Sequence, residues 1–305
     1  MAERVELRPP TLGDVSELAA FYGEVAERYG LGGRPQPDEL RHSYTSGIVD
    51  AERDVRLAVA DGRIVGAANI WDSGRRHETF FVNTVAHPRD RPVYGALLDW
   101  GEGRVREAAE GRLAVLRVAL AEDDEVFAAE VAERGMELVR HFFRMEIGLD
   151  GELPAPEWPA GISVRTFEPA DERTLYEAWK DAFADHWEFV PMPFEDWVRY
   201  GESPAVDRSL EFLALDGEEI AGFALCQRER RPGVGHVGLL GVRPQWRRRG
   251  IALALLLHAF HEFRRRGRPR VDLGVDAAST TGAVRLYERA GMRVVQRTDT
   301  YEKRL

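Results

Sequence analysis

Cysteine is nearly missing: Cys226 is the single one in 305 residues. No internal disulfide can form, and the composition fits a reducing, cytoplasmic setting. No run of 18 apolar residues occurs, so no membrane-spanning helix is expected. The opening MAERVELRPP lacks a basic segment followed by an apolar one, so no signal peptide is expected. Surplus positive charge is missing too. The 42 Lys and Arg face 52 Asp and Glu, a net charge of −10, which argues against a nucleic-acid partner. Metal-ligand spacing is thin: His258 and His261 lie three apart with no third ligand pattern, so no metal is expected. What is present is a 44% hydrophobic chain, long enough for two ordinary domains.

A unit is written twice. VELRPPTLGDVSEL, from Val5, is matched by ISVRTFEPADERTL, from Ile162. Each gives a short strand with an arginine (Arg8, Arg165), then an aspartate (Asp14, Asp171) at the expected N-cap of a helix. LAVADGRIVGAANI and LALDGEEIAGFALC each read as a strand, a tight Asp-Gly turn and a second strand. Gly66 and Gly222, Pro88 and Pro244, and Gly135 and Gly291 are all 156 residues apart. Three landmarks at one offset indicate a tandem duplication. Between the copies, DGELPAPEWPAG (Asp150 to Gly161) reads as a linker. The expected domains are therefore 1–149 and 162–305, joined by 150–161. Each copy gives a strand, one or two helices, a hairpin, a strand feeding a long helix, then β, α, β. That is an α/β arrangement with a mixed sheet and flanking helices.

In the second copy, QWRRRGIALALLL (Gln245 to Leu257) concentrates positive charge at the start of a helix. The helix is expected from about Arg249, with Ile251, Leu253, Leu256, Leu257, Phe260 and Phe263 on its buried face and Gly267 just past its end. Backbone amides at its N-terminus, from Arg248 to Ala252, lack intrahelical acceptors and form a candidate anion site for a pyrophosphate. Gly250 lets a phosphate approach without a Cβ in the way. Arg247, Arg248 and Arg249 add full charges. A solvated basic turn is the other reading of the same residues.

RRRGIA, Arg247 to Ala252, resembles the Q/R-x-x-G-x-G/A motif of the GNAT acetyltransferase family. VDAASTTGAVRLYERAGM, Val275 to Met292, is similar to that family's later strand and Tyr-bearing helix. The tandem form resembles the mycothiol synthase type of double GNAT protein. The resemblance implies two GNAT domains, each a mixed, mostly antiparallel sheet flanked by helices, with acetyl-CoA as co-substrate. It implies that the loop binds the coenzyme pyrophosphate through Arg247, Arg248, Arg249, Gly250, Ile251 and Ala252. It also implies that Leu240, Gly241 and Val242, on a strand that splays from its neighbour, present main-chain groups to pantetheine and acetyl. The family often places an asparagine before the Tyr-bearing helix; Ser279 stands there in this chain, with shorter reach.

Acetyl transfer to an amine needs an acid for the departing thiolate, oxyanion donors and a route for the amine proton. Tyr287, at the family's tyrosine position, is the candidate acid; a core tyrosine is its alternative. His236 on the glycine-containing strand GHVGLLGV is the candidate base, with a suitable unperturbed pKa; water is the alternative carrier. DAFADHWEFVPMPFEDW, Asp181 to Trp197, is the expected acceptor-side wall, with Asp185, His186, Trp187 and Glu188 suited to a cationic amine. Core packing would explain its aromatics equally well.

The first copy departs from this pattern. The offset sets Tyr94 opposite Gly250, Pro92 opposite Arg248 and Val131 opposite Tyr287. The first two remove the phosphate approach and one amide donor, and the third removes the acid. A shifted register would use Gly95. The expected function is an acyl-CoA-dependent N-acetyltransferase that moves acetyl from acetyl-CoA to a primary amine of a small molecule, with a degenerate first domain and chemistry in the second. The alternative is a non-catalytic acyl-CoA-binding or ligand-sensing protein on the same scaffold. The acceptor's identity and the oligomeric state stay open.

Overall fold

The computed structural model describes residues 5–29, 35–87 and 90–305; Pro88, the first-copy partner of Pro244, lies outside them. By internal contacts the chain divides into two units, Met1–His141 with Arg297–Leu305, and Phe142–Gln296.

Unit 1 begins with β1 (Glu6–Arg8), α1 (Val15–Tyr29), α2 (Pro37–Thr45) and a short α3 (Ala51–Asp54). The hairpin β2 (Val55–Ala60) and β3 (Arg63–Asp72) leads to β4 (Thr79–Ala86) and the long α4 (Arg91–Ala108). β5 (Val115–Ala121), α5 (Glu125–Glu133) and the first residues of β6 (Glu137–Gly148) follow. Unit 2 repeats the plan with β7 (Ile162–Thr166), α6 (Glu172–Phe183), α7 (Phe194–Gly201), β8 (Val206–Asp216) and β9 (Glu219–Arg231). β10 (Val234–Val242) feeds α8 (Ile251–Arg265), and β11 (Arg270–Asp276), α9 (Ala283–Arg289) and β12 (Arg293–Arg304) end the chain.

The sheet of unit 1 runs β1-β2-β3-β4-β5-β12, and that of unit 2 runs β6-β11-β10-β9-β8-β7. One neighbouring pair in each is parallel, β4 with β5 and β10 with β11. The other neighbours within each of these two runs pair antiparallel. The mixed, mostly antiparallel sheet expected from the sequence is therefore observed. The units differ from a cut on either side of the linker in two strands. Residues 142–148 of β6 pair with β11 in unit 2, and residues 298–304 of β12 pair with β5 in unit 1. Each copy gives its last strand to the other copy's sheet.

The repeat has a physical basis at its landmarks. In both units the arginine of the first strand forms a two-pronged ion pair with the aspartate ahead of the first long helix: Arg8 with Asp14 at 2.6 and 2.8 Å, Arg165 with Asp171 at 2.6 and 2.7 Å. Both aspartates stand at the N-cap position expected of them, Asp171 ahead of α6 and Asp14 with its carbonyl accepting from Leu18 at 2.8 Å. The carboxylates accept from arginine and from the amides of Thr11 and Glu168, and Asp171 makes no side-chain cap bond to its helix. Gly66 and Gly222 are packing sites. A Cβ would stand 2.5 Å from Val93 Cγ1 at the first, and 2.8 Å from the Gly241 carbonyl and 3.3 Å from Ile251 at the second. The lack of a Cβ there lets the long helix lie close on the sheet.

α8 buries Ile251, Ala254, Leu255, Leu256, Leu257, Ala259, Phe260 and Phe263 against the sheet, with Leu253 half-buried at the edge. Each large side chain so covered contributes about 1.5–3 kcal/mol. Cys226 is buried in the same core. α6 and α7 cover the opposite face with a second core of Leu175, Trp179, Trp197, Leu213, Leu215 and Phe223.

Candidate active site

α8 starts two residues later than the periodicity predicts, at Ile251, because Gly250 takes φ +90° and ends the preceding turn. A side chain there would be strained, although nothing lies within 4 Å of an added Cβ. Gly250 is the N-cap, and Ala254 donates to its carbonyl at 3.0 Å, so the amides of Ile251, Ala252 and Leu253 precede the first bonded turn. Arg248 is exposed, has φ +60° and makes no ion pair among the described residues. Arg249 is also exposed, with Asp216 at 3.6 Å.

Arg247 behaves differently. Its guanidinium grips Asp185 through two contacts of 2.5 and 3.0 Å and donates to the carbonyls of Val242 and Ala182 at 3.1 and 3.0 Å. That pairing holds the Asp185 carboxyl below the usual range. Two residues expected in separate subsites are thus partners of one another.

β10 keeps its partner β9 through Val242, but its pairing with β11 covers only Val234 to Val237. Beyond that point the strands part, and the β11-side edge of Leu240, Gly241 and Val242 is not laddered to β11. A bulge at Gly238, between Val237 and Leu239, resets the alternation. Val237, Leu240 and Val242 pack toward α8, while Leu239 packs toward the α6 face and a Cβ on Gly241 would strike Phe223 and Ala182 there.

Tyr287 on α9 is buried in the α8-side core, and burial pushes its phenol up to about 12. It is neutral across any working pH. Ser279 lies in the turn between β11 and α9, its hydroxyl 2.8 Å from that of Thr281.

His236 points to the other face of the sheet, and its partner there is one that the sequence does not reveal. Its Nδ1 lies 2.7 Å from Asp272 Oδ1, the residue directly beside it in the parallel register. Asp272 also accepts from Arg231 at 2.5 Å. Burial alone would raise the Asp272 carboxyl, but His236 and Arg231 together outweigh it and hold it low. With Nδ1–H donated to the carboxylate, Nε2 carries the lone pair. The sequence signal is slight: Asp272 occupies the face of β11 opposite the apolar Val271, Leu273 and Val275, where a polar residue is ordinary. Its position beside His236 requires the register.

The expected acceptor wall is the loop between α6 and α7. The His186 ring packs tilted against Phe183, 4.3 Å between centroids, and burial lowers its pKa. Trp187 meets Phe142 of β6 at 6.3 Å, and Glu188 adopts φ +47°. His258 and His261 are engaged elsewhere. His258 packs edge-on to Phe212 and Trp158, and His261 Nε2 contacts the Pro154 carbonyl at 2.9 Å.

In unit 1 the same region is closed. α4 begins at Arg91, the residue opposite Arg247, so one further helical turn replaces the loop. Pro92 fits that first turn, and the Asp90 side chain caps it by accepting from Val93. Tyr94 does not lie across the helix end, as its alignment with Gly250 predicts. It turns inward, 2% exposed, and stacks on Phe127 at 4.5 Å. Its hydroxyl donates to Ala86 or Asp124, both 3.1 Å away. β4 and β5 pair only from Thr79 to Phe81, so Tyr94 spans the gap between their parted ends.

Residues 171–292 match the family model described as "Acetyltransferase (GNAT) family". The chain is 34% identical to a mycothiol acetyltransferase of Thermobispora bispora, over 95% of this chain and 96% of that one. It is 36% identical to one of Thermomonospora curvata over 77% of each. Among solved structures, a GCN5-related N-acetyltransferase from Sphaerobacter thermophilus aligns with TM-score 0.77 and 34% identity, over 100% of this chain and 96% of that one. A tandem GNAT protein from the clavulanic acid biosynthesis pathway shares the fold, with TM-score 0.74 at 16% identity, over 99% and 98% of the two chains. Together with the splayed strand and the glycine-started helix, these relationships show that the chain belongs to the GNAT family and is an acyl-CoA-dependent acetyltransferase.

Proposed function

We propose that unit 2 transfers acetyl from acetyl-CoA to a primary amine of a small molecule, and that unit 1 keeps the fold without the chemistry. The observation that carries this reading is the contrast between the two helix starts. At α8 an αL glycine leaves amides and exposed cations facing outward, whereas at α4 an extra turn and a capping carboxylate occupy the helix start, and Tyr94 fills the gap between the parted ends of β4 and β5.

The pyrophosphate is held by the amides from Arg248 to Ala252, with Arg248 and Arg249 supplying charge. Arg247 contributes indirectly, by fixing the loop to Asp185 and to the end of β10. Pantetheine and acetyl lie along Leu240, Gly241 and Val242, where main-chain groups freed by the splay stabilise the oxyanion. His236, oriented by Asp272, takes the amine proton; the amine attacks the thioester carbonyl, and the tetrahedral intermediate collapses with expulsion of the thiolate.

Tyr287 supplies the proton to that thiolate. A phenol at about 12 lies well above a free thiol at about 8.5, so transfer in open water would be uphill by roughly 5 kcal/mol. The burial that raises the phenol also raises the proton affinity of a thiolate formed beside it, which narrows the difference. Ser279, in the turn between β11 and α9, contacts the coenzyme. His186, Trp187 and Glu188 line the acceptor side, and Asp185 acts through Arg247. Relatives named mycothiol acetyltransferase make a mycothiol-type amine the first acceptor to test. A single buried cysteine fits a cytoplasmic setting.

The test is an acceptor screen with purified protein and acetyl-CoA, following release of CoA thiol and subtracting release without amine. Amine-dependent thiol release with a matching N-acetyl product supports the reading. Thioester hydrolysis alone across the panel overturns it.

A further inference from the structure

Gly95, Gly101 and Gly103 all lie within α4, and the first two have a packing reason. A Cβ on Gly95 would stand 3.0 Å from Glu130 Oε2, and one on Gly101 would strike Val82 Cγ1 at 2.6 Å. Gly103 has a helical backbone and nothing within 4 Å of where its Cβ would be. Glycine costs a helix stability relative to alanine, and no packing contact among the described residues accounts for it here. The space beside Gly103 is a pocket of about 490 Å³, walled by α3, the start of β2 and the later half of α4. That volume falls in the range of small-molecule sites. The α4 wall begins at Trp100, roughly 14 Å along the helix from Arg91, the residue opposite the coenzyme loop.

Arg104 lines this pocket with bonds unmade. Its side chain is 10% exposed, and Nε donates to Asp54 Oδ1 at 2.8 Å. Nη1 is buried without a hydrogen-bond partner; Glu107, itself 73% exposed, comes no closer than 3.6 Å. Nη2 makes no hydrogen bond among the described residues either. The outer edge of the guanidinium is therefore free, and a loosely held carboxylate stands beside it, a donor next to an acceptor. One turn back along the same helix stripe is Trp100. Arg56 lies over its ring, 5.3 Å from the centroid, with Nη1 donating to the carbonyls of Glu52 at 2.6 Å and Val55 at 2.8 Å. A guanidinium so pinned is a flat, rigid wall.

The charges of the lining balance. Asp99 is held by Arg134 and Arg104 by Asp54, which leaves Arg53 and Arg56 against Glu52 and Glu107. A bare anion would meet carboxylates there, and a bare cation would meet guanidiniums. A neutral ring with an acceptor and a donor side by side meets neither and satisfies both open groups.

We propose that this pocket of unit 1 binds a neutral planar heterocycle with a lactam edge, a ring carbonyl beside a ring N–H. The carbonyl oxygen accepts from the free edge of Arg104, the N–H donates to Glu107, and the ring lies over Gly103 against the wall of Arg56 and Trp100. The site is separate from the coenzyme end of either long helix and does not depend on the chemistry of unit 2.

The test titrates three small probes into the full chain by ligand-observed NMR: carbostyril, a two-ring lactam; N-methylcarbostyril, which lacks the N–H; and naphthoate, an anion of similar size. The wild type should bind carbostyril about 10-fold more tightly than either of the others, the effect of one hydrogen bond to a charged group. Gly103→Leu should hold or raise Tm, since leucine is a better helix former and meets no atom there, and should weaken carbostyril at least about 10-fold by filling the floor. Glu107→Leu changes an exposed side chain, so the fold is not at stake. It should bring carbostyril down to the level of the N-methyl compound and leave that compound unchanged. Saturating acetyl-CoA should leave carbostyril binding intact. Naphthoate binding as tightly as carbostyril, full affinity in Gly103→Leu or Glu107→Leu, competition with acetyl-CoA, or no wild-type binding of carbostyril up to about 1 mM each overturns the proposal.

Discussion

Arg247 and Asp185 stand 62 residues apart in the chain and grip one another through two contacts of 2.5 and 3.0 Å. This pair, with the bonds from Arg247 to Val242 and Ala182, ties the loop before α8 to the end of α6 and to the splayed tip of β10. The three arginines of RRRG are therefore not equivalent: one builds the loop, and two face outward.

Arg247→Ala should lower stability by about 1–2 kcal/mol, discounted for the half-exposed Asp185, a Tm loss of several degrees by thermal scan. Arg248→Ala should leave Tm unchanged and weaken coenzyme binding about 3- to 10-fold, more at low salt than at high salt. The Asp185 carboxyl is depressed in the folded state, so its stabilisation is present above the unfolded value of about 3.9 and is lost as pH falls below it. The acid limb of Tm against pH should be shallower in Arg247→Ala. Identical acid limbs in wild type and variant would remove this linkage.

Tyr287→Phe keeps the ring in the core and removes one hydroxyl. Turnover should fall by about 10²–10⁴-fold with coenzyme affinity nearly intact. Because the phenol lies at about 12, the wild type should show no descending limb from its ionisation below about pH 10. Unchanged kcat in the variant removes Tyr287 from the chemistry.

Asp272→Asn is close to isosteric and leaves Arg231 and Glu146 in contact. An amide can accept from His236 or donate to it, so the imidazole loses its fixed tautomer. kcat should fall about 10- to 100-fold, and the pH profile of kcat should change shape while acetyl-CoA affinity holds. A loss confined to stability, with an unaltered profile, would make the His236–Asp272 contact structural only.

The repeat, the helix start and the tyrosine-bearing helix are legible in the sequence because they rest on local pattern: glycines at one offset, a 3.6-residue apolar face and two short motifs. Residues brought together by register are not. Nothing local marks residue 272 as the neighbour of His236, since this depends on where the parallel pair begins. The exchange of β6 and β12 is hidden for the same reason, because each strand's pattern suits either sheet. Alignment alone makes Tyr94 an obstacle across the helix end. The added turn of α4 rotates it inward, where its hydroxyl finds Ala86 and Asp124.

That coenzyme binds at the glycine-started end of α8, and there alone, is tested by calorimetric titration of acetyl-CoA into the full chain and into Gly250→Tyr. A tyrosine at φ +90° is strained, and its side chain lies where the phosphate is to approach. One site per chain is expected in the wild type. The variant should lose at least about 10-fold in affinity, the effect of roughly 1.4 kcal/mol, with Tm checked separately. Two sites per chain, or equal affinity in both proteins, would contradict this placement.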